Sequence, residues 1–260
     1  MNDNKIAQLL CQEAAARNNI SEISFEKPDP LLIASKYKEE YSALICALFA
    51  YGDVRAIVAF LSSLDFSLLR QDEESIALAL QKHYYRFQSS HDIQALFVTL
   101  SRARKVDSLE NIFLQGYKKN YSVMDGLASL ITFLYDINAY RSRGYQFLLG
   151  KIPQNINQSP YKRWHMYLRW MVRKDSLDFG LWKHVRTEDL LMPLDTHTFH
   201  TGRKLGLIQR STYDFKAVIE LTEACRKIDR NDPVKFDFAL YRLGQEKHFL
   251  DSSKKLKKSI

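Results

Sequence analysis

Glycine and proline are scarce in this chain. Only 9 glycines and 6 prolines occur among 260 residues, too few for the frequent tight turns of an all-β design, so long helices with short connections are expected. Cysteine is scarcer still. Cys11, Cys46 and Cys225 lie far apart, and no close pair offers half of a zinc or iron–sulfur site. They read as reduced, buried thiols in a cytoplasmic setting. No run of 18 apolar residues is present, which argues against a membrane-spanning helix. The opening Met1-Asn2-Asp3-Asn4-Lys5 lacks the charged-then-apolar order of a secretion signal. Repeats, low-complexity stretches and a Ser/Gly/Pro-rich linker are missing too, so any domain border must fall between helices.

What is present fits a globular helical protein. Apolar residues make up 46% of the chain, enough to fill a sizeable core. The formal net charge of +8 suits a polyanionic partner, most often nucleic acid, although many basic proteins bind none. Helical character runs over 5–18. An apolar pattern over 39–64 is interrupted at Tyr51-Gly52-Asp53, which predicts two packed helices meeting at Gly52. Amphipathic stretches follow at about 72–83, 91–104, 108–119 and 123–134. A polar connection over 150–159 leads to Ser159-Pro160, which reads as a hydroxyl N-cap followed by proline in the first helical turn. Beyond it Trp164, Tyr167, Leu168, Met171 and Val172 share one helical face. Asp195 or Thr196 can cap another helix, stopped by Gly206, and a last helix is predicted from Pro233 to Leu243, ended by Gly244. The lysine-rich segment 251–260 reads as a mobile basic tail.

Two residues carry a chemical expectation. Lys162 falls in the opening turn of a helix, where the macrodipole disfavours a cation by about 0.3–1 kcal/mol. Neighbouring Arg163 adds a like charge, and burial would push the same way, favouring a free amine able to attack an electrophilic carbon. An exposed lysine touching solvent or a phosphate has the same sequence position. Asp195 looks like an N-cap, and a carboxylate held by backbone N–H groups stays ionised, ready to face a developing positive charge. His197 and His200 stand three apart, but no third ligand lies at a persuasive spacing, so no metal is expected. Tyr51, Trp164, Trp170, Trp182 and Tyr241 can stack on a base or simply fill the core.

The stretch Pro193-Leu194-Asp195-Thr196-His197-Thr198-Phe199, continued by Arg203-Lys204-Leu205-Gly206-Leu207, resembles the "VDTH…R…RLGL" signature of the helix-hairpin-helix DNA glycosylase superfamily. Lys162, followed by His165, Met166, Tyr167 and Leu168, is similar to that group's catalytic lysine at the head of a helix. Residues 43–50 resemble the apolar helix that precedes a loop entering the DNA, which places Tyr51, Gly52 and Asp53 at the loop. The three segments keep the superfamily's order over roughly residues 40 to 245. There are departures. The Leu-Pro-Gly-Val-Gly hairpin of endonuclease III is replaced by Asn155-Ile156-Asn157-Gln158-Ser159-Pro160-Tyr161, and its iron–sulfur cysteines are absent. Lys162 and Asp195 stand 33 positions apart, more than in that branch. These features look more like the archaeal 8-oxoguanine glycosylases, and the chain as a whole resembles a bacterial family placed in the same superfamily.

The resemblance implies an all-α, two-lobed fold with a cleft between the lobes. Residues 41–184 would form a central helical barrel lobe, and 1–40 with 185–250 the second. It implies a DNA N-glycosylase with β-elimination lyase activity, removing an oxidised purine, 8-oxoguanine foremost, from double-stranded DNA. Lys162 is then the Schiff-base nucleophile and Asp195 the supporting carboxylate. Asp237, Tyr241, Tyr51 and Trp164 are expected at the base, and Gly52, Arg163, His197 and Arg203 at the DNA backbone. No cofactor, membrane or obligate protein partner is implied, and a cytoplasmic, nucleoid-associated setting is expected. The alternatives are a monofunctional glycosylase for alkylated bases, and a non-catalytic DNA- or RNA-binding helical protein.

Overall fold

The computed structural model describes residues 3–245; the basic segment expected at 251–260 lies outside the described residues. Among those described the fold is all-α, with thirteen α-helices and no strand. In order these are α1 (Asp3–Arg17), α2 (Leu31–Tyr37), α3 (Glu40–Leu48), α4 (Val54–Ser62), α5 (Glu73–Leu80), α6 (Ser90–Val106) and α7 (Leu109–Asn120). There follow α8 (Val123–Asp136), α9 (Arg143–Leu149), α10 (Lys162–Val172), α11 (Thr196–Leu205), α12 (Phe215–Arg226) and α13 (Asp237–Gln245). No helix among the described residues is long and apolar enough to cross a membrane.

Most of these helices start where a short polar side chain can take up a free amide. Asp53, Asp72, Ser108, Ser122, Ser142, Asp195 and Asp214 each accept a hydrogen bond from the first turn that follows. Ser89 and Asp92 cap α6 reciprocally. Helices α7 and α8 approach closely because Gly116 faces the backbone of Asp125, where a Cβ would collide with the carbonyl.

The core runs through α10. Every residue from Trp164 to Val172 is buried, so α10 is enclosed on all sides rather than along the single face predicted for it. It packs on α3, which is buried from Tyr41 to Leu48. The first and last described helices meet. Helix α1 packs on α13 and on the 3-10 turn Pro233–Phe236, and α13 packs on α11.

Several boundaries differ from expectation. Helix α10 begins at Lys162, not at Ser159-Pro160, because Tyr161 adopts a left-handed conformation (φ 49°, ψ 32°) and makes no side-chain cap. The buried Tyr161 ring instead anchors the connection, its hydroxyl donating to the Lys151 carbonyl at 2.9 Å. The last helix is split: a 3-10 turn covers Pro233–Phe236, and α13 runs through Gly244 to Gln245. Cys46 and Cys225 are buried, but Cys11 is exposed. It stands one position beyond Leu10 and so rotates off the stripe that Ile6 and Leu10 bury. Helices α2, α9 and α12 were not expected. The apolar spacing of α12 through Phe215, Val218, Leu221 and Cys225, all buried, is the signal that could have revealed it.

Candidate active site

A cleft of about 570 Å³ opens where residues from distant parts of the chain converge. Lys162 and Asp195 both line it, as do Tyr51, Gly52, His197, Asp237 and Tyr241. Four helices begin at its wall. Asp53 caps α4, Lys162 opens α10, Asp195 caps α11 and Asp237 opens α13. The first turns of α4, α10 and α11 thus lie at this wall, where their amides suit bound anions, whereas α13 continues from the 3-10 turn before it and has no free end there.

Asp195 accepts from the Thr198 amide through Oδ1 at 2.8 Å, which fixes the cap on Asp195 rather than Thr196. Its second oxygen makes no hydrogen bond among the described residues, and the side chain is half-buried. Lys162 is half-buried as well, its Nζ 3.5 Å from the Met166 sulfur one turn along α10. That thioether is a weak acceptor, so the amine is held loosely rather than locked in an ion pair.

Below them lies an ion network that the sequence did not suggest. Arg169 is buried two turns along α10 from Lys162 and donates to both Asp178 (3.2 Å) and Asp237. Arg173 continues the chain to Asp175 (2.7 Å), Asp178 and Asp232 (3.0 Å). Burial pushes the Asp237 carboxyl up to about 6, against the pull of Arg169 and then of Lys162, while Asp195 adds a raising push. Lys162, Asp195 and Asp237 share the wall of one cleft. Trp170, one of the aromatics weighed for stacking, lines the cleft, and Asp29, Tyr213 and Phe238 line it without having been anticipated. Tyr213 donates to the Leu194 carbonyl at 2.8 Å, bracing the chain just before Asp195.

The other expected site residues divide. Tyr51 lines the cleft in a ring cluster with Phe147 (4.8 Å) and Tyr85 (5.3 Å). Gly52, at φ +98°, has the Arg86 side chain lying against it where a Cβ would be. Arg163 touches the cleft, but its guanidinium is occupied by the carbonyls of Leu48 and Phe147 and stacks on the Phe147 ring at 4.7 Å. Trp164 lies outside the cleft. It is a core residue whose indole donates to the Leu149 carbonyl at 2.8 Å, joining α9 to α10. Arg203 is exposed and packs over Phe199, also away from the cleft lining. His197 is exposed at the rim. His165, by contrast, is fully enclosed against Phe215, and burial pushes it down to about 3, so it is neutral at ordinary pH. Among the described residues no group of three or more His, Cys, Asp or Glu side chains could hold a metal ion.

Residues 29–246 match the family described as a protein of unknown function, DUF2400. The chain belongs to that family. No curated protein and no solved structure matches it. The DUF2400 region begins at Asp29, itself a cleft residue, and takes in every side chain that lines the cleft, whereas α1 falls outside it.

Proposed function

We propose that this DUF2400 protein is a base-excision DNA glycosylase with lyase activity, acting on an oxidised purine, 8-oxoguanine foremost, in double-stranded DNA. The observation that carries the reading is the presence of Lys162 and Asp195 on the wall of one cleft, although they stand 33 positions apart in the chain. The cleft volume falls in the range of small-molecule sites and suits a nucleotide rotated out of the duplex. The converging helix starts suit the flanking phosphates. In this reading the cleft divides a lobe of residues 41–184 from one formed by 1–40 and 185–250, and Gly52 and His197 lie against the DNA backbone at its rim.

The chemistry follows from the two side chains. As the glycosidic bond stretches, positive charge builds on the deoxyribose, and one oxygen of Asp195 faces that charge while the other holds the Thr198 amide. The Lys162 amine attacks the anomeric carbon while the base departs with the electron pair of the broken bond. Ring opening yields a Schiff base, from which the 3′-phosphate is eliminated. Tyr51 and Tyr241 offer ring faces to the displaced base.

Five aromatic side chains line the cleft: Tyr51, Trp170, Tyr213, Phe238 and Tyr241. This favours one second reading, a glycosylase for alkylated, electron-deficient purines selected by ring faces. A panel of duplexes, each with a single lesion, separates the two. Strand cleavage at 8-oxoguanine supports the first reading, and release of 3-methyladenine without cleavage supports the second. Salt-dependent DNA binding with no product on any lesion would leave a non-catalytic binding protein and overturn both.

A further inference from the structure

The mechanism above leaves one proton without a destination. When the Lys162 nitrogen forms its bond to the sugar carbon it becomes positively charged and must shed a proton before the ring opens. Asp195 is poorly placed to be the sole acceptor, since one of its oxygens is held by the Thr198 amide and its charge faces the sugar. The cleft is lined by three further carboxylates, of which Asp29 and Asp53 accept from the amides of Leu31 and Arg55 at local turns. Asp237 opens α13, lines the cleft with Lys162, and is gripped from beneath by Arg169. Arg169 and Lys162 lie seven positions apart on α10, two turns along the same face. A buried ion pair is a costly way to hold a helix start, and an apolar pair of similar size serves stability as well or better.

We infer that Arg169 is a positioning residue that keeps Asp237 in the cleft as a carboxylate, and that Asp237 takes the proton shed by Lys162. The inference rests on the proposed lyase reading for its substrate, but the influence of Asp237 on the Lys162 amine can be tested without DNA. Electrons and protons balance as follows. The Lys162 lone pair forms the nitrogen–carbon bond, the base leaves with the electrons of the glycosidic bond, and the N–H proton passes to an Asp237 oxygen, giving a neutral carboxylic acid. Arg169, with its Nε on Asp178 and its Nη1 on Asp237, steadies the carboxylate before the transfer.

The charged and titratable groups around Asp237 come from each element packed on it. Helix α10 brings Arg169 and Lys162, the start of α11 brings Asp195 and His197, and the segment after α10 brings Asp178. Helix α12 brings the buried Cys225 thiol, and α13 itself brings Tyr241. The segment before α2 brings Asp29, which lines the same cleft. Burial raises Asp178 as well, but that carboxylate faces Arg169 and Arg173 and does not line the cleft; Asp237 is the raised carboxyl on the cleft wall with Lys162, so its titration appears as an acidic limb.

The test uses the full chain in two assays across pH 5 to 8. The first is borohydride trapping on a duplex with a preformed abasic site, which bypasses base release. The second is reductive methylation of Lys162 by formaldehyde and cyanoborohydride, read by peptide mass relative to the exposed Lys105. In the wild type both rates at Lys162 are expected to fall as pH drops through about 6. Asp237→Asn flattens that limb and lowers the pH 7.5 rate by roughly tenfold or more, and Arg169→Lys, which keeps the charge but loses the fork, displaces the limb. A wild-type profile with no limb between pH 5 and 7 overturns the inference even if neither variant folds. So does an Asp237→Asn profile that superimposes on the wild type. Absence of DNA trapping with the methylation limb intact would instead sink the lyase reading and leave the pair standing.

Discussion

Arg169 and Asp237 form a buried ion pair directly beneath the cleft that Lys162 and Asp195 line, and the same guanidinium reaches Asp178. The wall of the site is therefore fastened to the core by charge as well as by apolar packing. Removing the arginine would strand the Asp237 carboxylate in a dry environment and leave Asp178 to Arg173 alone. Arg169→Met is expected to cost about 3–5 kcal/mol of stability, read by urea unfolding at pH 7. Asp237→Asn, which keeps a hydrogen-bond acceptor for the guanidinium, should cost less. Equal stability of Arg169→Met and wild type would contradict the buried network.

The elevated Asp237 carboxyl has a pH consequence whose sign is fixed. Its folded value of about 6 lies above the ordinary carboxylate value of 3.8, so the folded state holds that proton more tightly. The stabilisation is full below about pH 4 and is lost as pH rises through about 6. Other carboxylates, such as Asp175 and Asp92, are lowered and act in the opposite direction. The contribution therefore has to be isolated as a difference. The unfolding free energy of wild type minus that of Asp237→Asn should fall between pH 4 and 6; a flat or rising difference contradicts the assignment.

At Asp195 two substitutions separate capping from chemistry. Asn caps a helix as well as Asp does, whereas Ala loses about 1 kcal/mol. Asp195→Asn is thus expected to unfold close to the wild-type midpoint while base release slows by a factor of roughly 100 or more. Asp195→Ala should lose both. If Asp195→Asn turned over normally, the carboxylate would be only a cap.

Gly52 offers a check on the rim. At φ +98° with the Arg86 side chain against it, Gly52→Ala is expected to cost about 1–3 kcal/mol and to displace Arg86. Thermal unfolding reads the first effect, and DNA affinity at two salt concentrations reads any change at the rim.

Much of the site was legible in the sequence because its signals are local. The Asp195 cap, the helix through Phe199 to Leu205 and the position of Lys162 in a first turn are read from neighbours a few residues apart, and each is found in place. The start of α10 was misplaced because Ser159-Pro160 carries a valid local cap signal, overridden by the left-handed turn at buried Tyr161. Long-range partnerships left no such trace. Arg169 and Arg173 read as the polar face of an amphipathic helix, and only the approach of Asp178, Asp232 and Asp237 turns them inward. Trp164 suffered the opposite fate. Its ring looked available for a base, but the fold spends it on joining α9 to α10.

The most direct test of the proposed chemistry is to reduce the protein with borohydride on a duplex containing 8-oxoguanine or an abasic site, and to locate the adduct by peptide mass. One covalent complex is expected, carried on the peptide containing Lys162 and absent from Lys162→Ala with its helical content intact. Undiminished trapping by Lys162→Ala, or an adduct on another residue, would contradict it.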